Sequence, residues 1–409
     1  MTRTWIMNWA RARAIQALFG SRSKKFPRAD EKREAAPYVT LTKLEAGPMT
    51  IGVSFQIDFL RFLSASGELD PATPREAIDP ELLLVLYRAM TRTRAYDGKA
   101  IALQRTGKLG TFASALGQEA IGVGIGAAMR SEDVLAPSYR DHGAQLLRGM
   151  TMVENLVYWG GDERGSDYAV PRSDFPICVP VGTQVAHAAG AAYAFKLRDE
   201  KRVAVTILGD GGASTGDFYS ALNMAAVWRV PLVVVINNNQ WAISTPREME
   251  SATATLAQKA VAAGVEGRQV DGNDVIAMRH IAHAAIEKAR DGGGPTLIEA
   301  LSYRLGDHTT ADDASRYRDV EIVRREAEKE PIGRLRKYLT ARGLWSEEQE
   351  KALAKDCADE VERAVAAYLA TPPQAFSAMF DHLFAQLPES MRDQYEEARR
   401  FAPKDGGHG

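Results

Sequence analysis

Between residues 202 and 239 the chain reads strand, glycine turn, helix, strand. No other stretch restricts the fold as much. Residues 202–208 (RVAVTIL) form a short continuous run rich in β-branched side chains, which predicts a strand buried on both faces. Gly209-Asp210-Gly211-Gly212 follows, then a helix predicted over 217–228, a break at Pro231 and a second buried strand over 232–236 (LVVVI). A third strand near 268–270, a helix over 274–290 and a fourth strand over 295–301 continue the alternation. Strands and helices alternating at this spacing predict an α/β fold, with a parallel sheet, right-handed crossovers and flanking helices.

The rest of the chain frames that unit. Pro37, Pro48, Pro71 and Pro74 make residues 30–78 an extended lead-in with few regular elements. Asp79 and Pro80 then open a long predicted helix, DPELLLVLYRAMTRTRAYDGKAIALQ. A second helix is expected over 118–129, and 182–198 is a small-residue helix suited to close packing on a sheet. Residues 303–319 are too polar and turn-rich for an element, and 331 to about 400 is helical in pattern. A chain of 409 residues, 45% apolar and 25% charged, is globular in composition. The net charge of −2 provides no basic field for nucleic acid. Two cysteines, Cys178 and Cys357, make no disulfide framework and suit a reducing compartment. No apolar run reaches the roughly 18 residues of a membrane span. Residues 1–29 carry seven basic side chains and no acidic one, interleaved with Trp5, Trp9, Ile15, Leu18 and Phe19. A targeting or membrane-surface segment has this character, as does a basic tail or an overlong start-site assignment; the last two are the favoured reading.

A buried strand that ends in glycines before a helix suits a phosphate, because glycine lets the backbone approach and the helix N-terminus favours anions. A dinucleotide-binding turn is excluded. Its third glycine would fall at Ser214, and no Asp or Glu lies within 226–238 to hold a ribose. The second strand ends in Asn237-Asn238-Asn239, with Asn239 29 residues after Asp210. Adjacent parallel strands bring Asp210 and an Asn to one sheet edge, where hard oxygens suit magnesium completed by phosphate and water.

GDG followed by NN about thirty residues later resembles the thiamin diphosphate fingerprint. QRTGKLGTFASALGQEA (104–120), PSYRDHG (137–143), GDGGASTGDFYSALNMAA (209–226), NNQWAISTP (238–246), QVDGNDV (269–275) and SYRLGDHTTADDASRYR (302–318) widen the match. From about residue 55 to 400 the chain resembles the alpha subunit of the first component of 2-oxo acid dehydrogenase complexes, of pyruvate or branched-chain type. The resemblance implies the diphosphate-binding half of a thiamin diphosphate-binding fold over 55–330. A helical C-terminal region follows over 331–400, between a basic, poorly ordered extension (1–54) and a tail (401–409). It implies magnesium ligands at Asp210, Asn239 and the Trp241 carbonyl, and diphosphate contacts at Gly211, Gly212, Tyr139 and Arg140. Val179 and Val181 match positions that support the aminopyrimidine. His308 matches a histidine that binds phosphate and aids acyl transfer to lipoamide; His142 is a weaker second candidate.

Four positions depart from relatives. Asn237 replaces a cofactor-contacting Arg, Cys178 a potassium-binding Ser, and Thr111 a Phe near the substrate, while Thr309 stands at a regulatory phosphoserine. The glutamate that the family chemistry requires beside the aminopyrimidine has no second α/β unit here to carry it. The resemblance therefore implies a beta subunit, in an alpha2beta2 heterotetramer, and a lipoyl-bearing acyltransferase partner. Pyruvate is the favoured substrate, from LGTFASALGQEA and GDGGASTGDFYSALN. Branched-chain 2-oxo acids and acetoin are the alternatives within the enzyme class, and a non-catalytic nucleotide-binding protein is the alternative outside it. The expected location is the bacterial cytoplasm, or the mitochondrial matrix should 1–29 be a targeting segment.

Overall fold

The computed structural model of the chain describes residues 39–43, 51–170 and 172–402. The chain divides into two units, Met1–Ser54 and Phe55–Gly409. Strands β1 (Val39–Lys43) and β2 (Ile51–Phe55) pair as a two-stranded sheet. The basic stretch 1–29 and the tail from 403 onward lie outside the described residues.

The larger unit is built on a parallel sheet of six strands in the order β3-β9-β10-β6-β5-β4. They are β3 (Phe59–Leu60), β4 (Val134–Ala136), β5 (Ala204–Gly209), β6 (Leu232–Asn238), β9 (Glu266–Asp271) and β10 (Thr296–Leu301). A small antiparallel pair, β7 (Trp241–Ala242) and β8 (Thr245–Pro246), follows β6. The four strands expected from sequence are the central ones. Two more, β3 and β4, extend the sheet at its edges.

Both faces of the sheet are covered, as the unbroken apolar runs require. Because side chains alternate along a strand, Val233 and Val235 join the core shared with Ile207 and Ile298, while Val234 and Ile236 join the opposite core with Leu208 and Leu297. Each such fully buried side chain contributes roughly 1.5–3 kcal/mol. The first core is roofed by the helices Pro80–Arg105, Glu119–Gly126, Val275–Arg290 and Pro331–Ala341, the second by Thr183–Arg198 and Gly216–Trp228. Pro80 occupies the first turn of the long helix, and the Asp79 carboxylate accepts from Leu82 N–H at 3.3 Å. Its buried stripe (Leu83, Leu86, Tyr87, Met90, Tyr96, Ala100 and Leu103) has helical spacing. The lower part of that stripe packs on Val361, Ala364 and Val365 of the helix Glu347–Leu369. The C-terminal helices thus build on the α/β layer, and they begin at Val320, earlier than expected.

Candidate active site

The C-terminal ends of β4, β5 and β6 open onto a cavity of about 550 Å³. Parallel pairing of β5 and β6 sets Gly209 opposite Asn237, which brings the glycine turn beside the asparagine run. Tyr139, Arg140, Val179, Val181, Asp210, Gly211, Gly212, Asn239, Trp241 and His308, all expected at one site, line this one cavity. Asn237, Cys178, Thr111 and Thr309 line it too. His142 does not. It is fully buried, stacks on Phe112, and its Nε2 lies 3.0 Å from the Ala113 carbonyl. Burial pulls its pKa down to about 4. This corrects the expectation that His142 is a candidate for chemistry: it is a neutral core residue.

At one end of the cavity Asp210 opens a short 3-10 turn (Gly211–Ser214), and Thr215 caps the helix Gly216–Trp228 by accepting from Phe218 N–H. Asp210 is 1% exposed; Oδ1 accepts from Gly211 N–H at 3.1 Å, and Oδ2 has no partner. Burial pushes its pKa up to about 6, against the Gly211 N–H and the Arg304 charge. Across the turn, strand alternation separates the three asparagines. Asn237 and Asn239 both donate to Gln118 Oε1, at 2.8 and 3.0 Å, while Asn238 donates to Glu299 in the neighbouring strand. Asn239 Oδ1 accepts from Trp241 N–H at 3.2 Å and so orients the β7–β8 hairpin. Gly211 has to be glycine, because a Cβ there would lie 2.6 Å from Ala242 Cβ of that hairpin. Ile243, at its tip, has φ 55°, a rare conformation for a β-branched residue.

The other end is basic. Arg140 is buried; Nη1 donates to the Ser114 carbonyl at 2.5 Å and Nη2 to the His308 carbonyl at 2.9 Å. Arg304, 1% exposed, donates to the carbonyls of Trp241 (3.2 Å) and Ile243 (2.7 Å) and to Tyr317 Oη (2.8 Å). Burial draws its pKa down to about 10. Tyr317 in turn donates to Asp312, which also accepts from His308 N–H. The segment 303–319 is a loop with one 3-10 turn, Ala314–Arg316. Tyr317 links Arg304 to Asp312 within it, and Arg318 donates to the carbonyls of Arg304 and Leu305. Cys178 Sγ donates to the Pro180 carbonyl at 3.3 Å and lies 3.1 Å from Thr183 Oγ1. These groups satisfy one another through a soft sulfur, a poor alkali-cation ligand.

Sequence reasoning passed over three residues. Gln118 joins the two asparagines, and its Nε2 is buried without a partner. Arg304 links the hairpin to the His308 loop. Glu250 accepts from Ala242 N–H, and burial, then the Asp210 charge, pushes its pKa up to about 7. Gln118 lies inside the GQEA segment but far in sequence from the asparagines it joins, and Arg304 is 63 and 61 residues from the two hairpin carbonyls it meets, whereas Glu250 is only eight residues from Ala242.

The site fits a metal-bound diphosphate. A buried carboxylate oxygen without a partner costs free energy unless a cation or donor meets it. The opposite wall offers guanidinium and imidazole groups suited to phosphate. Among the described residues no cluster of three or more His, Cys, Asp or Glu could hold a metal. A cation at Asp210 would therefore complete its shell with amide, carbonyl, phosphate and water oxygens, as magnesium does.

Comparison with known proteins agrees with this geometry. Residues 87–376 match the family model described as the dehydrogenase E1 component. The chain is 40% identical over 338 residues to the pyruvate dehydrogenase E1 component subunit alpha of Acholeplasma laidlawii, covering 82% of this chain and 96% of that one. It is 43% identical over 322 residues to the 3-methyl-2-oxobutanoate dehydrogenase subunit alpha of Mycobacterium tuberculosis, covering 78% and 87%. A Bacillus cereus pyruvate dehydrogenase E1 alpha subunit is 37% identical over 345 residues, covering 84% and 93%. With the cavity at the sheet edge and similarity along most of its length, this chain belongs to the dehydrogenase E1 component family.

Proposed function

We propose that the chain is the alpha subunit of an alpha/beta 2-oxo acid dehydrogenase. It would decarboxylate a 2-oxo acid, pyruvate by preference, and transfer the acyl group to a lipoyl group on an acyltransferase partner. The observation that carries this reading is the buried, unpartnered Asp210 oxygen facing a cavity whose far wall holds Arg140 and His308. Bound thiamin diphosphate supplies a carbon nucleophile and an electron sink for loss of carbon dioxide. The chain's residues would hold and orient it. Asp210, Asn239 Oδ1 and the Trp241 carbonyl would take Mg2+, while Gly211, Gly212, Tyr139 and Arg140 would meet the diphosphate. Val179 and Val181 would support the aminopyrimidine, and His308 would meet phosphate and assist acyl transfer. Asp210 is the sole carboxylate among the described residues lining the cavity, so the glutamate of the reaction is assigned to a beta subunit in an alpha2beta2 assembly.

The 43% identity to a branched-chain relative supports a second substrate reading. A panel of pyruvate, 3-methyl-2-oxobutanoate and acetoin on the co-expressed alpha and beta pair decides it. The highest kcat/KM is expected for pyruvate, and turnover of none of the three rejects the reading. The bacterial relatives support a cytoplasmic location. Among the described residues no helix is long and apolar enough to cross a membrane.

A further inference from the structure

Two guanidinium groups converge on a single nitrogen of His308. Arg304 Nη1 lies 3.3 Å from its Nδ1 and Arg140 Nη2 lies 3.4 Å from the same atom. An arginine side chain has five N–H donors, no acceptor, and does not lose its proton in a protein. Hydrogen bonds from these two residues therefore require Nδ1 to carry a lone pair. We propose that Arg140 and Arg304 are positioning residues that hold His308 as the neutral tautomer protonated on Nε2, so that its ring presents one N–H donor.

The surroundings agree. Nε2 has no hydrogen-bond partner among the described residues, while the ring lines the cavity. The ring is fixed further by the main chain: His308 N–H donates to Asp312 at 2.9 Å, and its carbonyl accepts from Arg140 at 2.9 Å. Tyr139 meets it edge to face, with centroids 6.2 Å apart. The charged groups that face the ring are Arg140 and Arg304, with Asp312 on its main-chain side, and Asp312 is shared with Tyr317. Burial, then the two arginines, pulls the His308 pKa down to about 4, against the Asp312 charge.

The inference narrows the chemistry open to His308. A neutral ring donating from Nε2 can hydrogen-bond a phosphate oxygen or a sulfur anion, and it does so equally at pH 5.5 and pH 8. It cannot act as an imidazolium acid at neutral pH. It cannot accept a proton at Nδ1 without losing both arginine contacts. That Nε2 meets an anion rests on the proposed function; the tautomer does not.

The two parts separate in one experiment. In full-length chain labelled with 15N-histidine, long-range 1H–15N NMR reads the tautomer of each ring, and His308→Gln identifies the His308 signal. The expected spectrum has a protonated Nε2 and a bare Nδ1, unchanged from pH 7.5 to 5.5. Arg304→Met should mix the tautomers and return the ring's titration toward its ordinary range, and Arg304→Lys should restore part of the wild-type pattern. A merely structural arginine would leave the tautomer as it is. A protonated Nδ1 in the wild-type chain, or a wild-type ring that titrates between pH 5.5 and 7.5, overturns the proposal, even should the variants fail to fold. Normal lipoamide acylation by the assembled His308→Gln enzyme would instead count against the role given to His308 and leave the tautomer standing.

Discussion

Asp210 is the residue at which stability and the proposed function oppose each other. Its carboxyl is raised to about 6 from an ordinary value of 3.8 by burial. A raised folded pKa means that the folded chain holds the proton more tightly than the unfolded one. The stability so gained is present below pH 3.8 and lost as pH rises through about 6, a cost on the order of 2–3 kcal/mol at neutral pH. Asp210→Asn should therefore raise the urea midpoint of the ligand-free chain at pH 7.5 and flatten its decline between pH 4 and 6. The same variant should weaken magnesium-dependent thiamin diphosphate binding by roughly a hundredfold, about 2.8 kcal/mol. Calorimetric titration measures the second effect; unchanged affinity would reject the metal assignment. The positions that sequence reasoning brought to one cavity are those that follow from local backbone and chemical type, such as Asp210 after a strand or an Arg beside a Tyr. Gln118 needs its partners 119 and 121 residues away, and His142 looked reactive because burial is not written beside it.

At the scale of elements, the glycine turn and the β7–β8 hairpin are one device. Gly211 leaves no room for a Cβ because Ala242 Cβ would lie 2.6 Å away, and the same hairpin carries Trp241, whose carbonyl accepts from Arg304 at 3.2 Å. Gly211→Ala should push the hairpin outward and weaken cofactor binding at least tenfold. Overpacking of this kind costs typically 1–3 kcal/mol. The clash is with one methyl group, so adding Ala242→Gly to Gly211→Ala should recover most of the lost affinity. A double variant as weak as the single one would place the defect in the diphosphate contact rather than in packing. Long elements were legible because their periodicity is sustained: the central strands β5, β6 and β10 and the helices Pro80–Arg105 and Val275–Arg290 needed only small boundary changes. Strands β3 and β4 have two and three residues, too few for any period to appear, and only their neighbours in the sheet define them. The hairpin was hidden for a different reason, since its tip uses Ile243 at positive φ where turn chemistry would lead one to expect Gly or Asn.

At the scale of the molecule, the proposed function makes the cavity a half-site. Oxygens of Asp210 and Asn239 line it on one side, with the buried Arg140 on the other. Its apolar end is open: Val179, Val181 and Ile243 line it while 57%, 48% and 58% exposed. Burying such side chains contributes free energy only when a second surface covers them. A reaction on a carbon nucleophile also needs water excluded from that end. No carboxylate besides Asp210 lines the cavity among the described residues, and the described residues after Val320 form helices, of which Pro331–Ala341 packs on the first core and Glu347–Leu369 on the helix Pro80–Arg105. The chain alone should therefore bind thiamin diphosphate weakly and release no carbon dioxide from 2-oxo acids. Adding the beta subunit should start decarboxylation and tighten cofactor binding together, because in the proposed assembly the same surface would cover the apolar end and bring the glutamate. Carbon dioxide release and calorimetric affinity, followed as the beta subunit is titrated in, should saturate at one stoichiometry. Decarboxylation by the pure isolated chain would mean that the missing base lies within it after all.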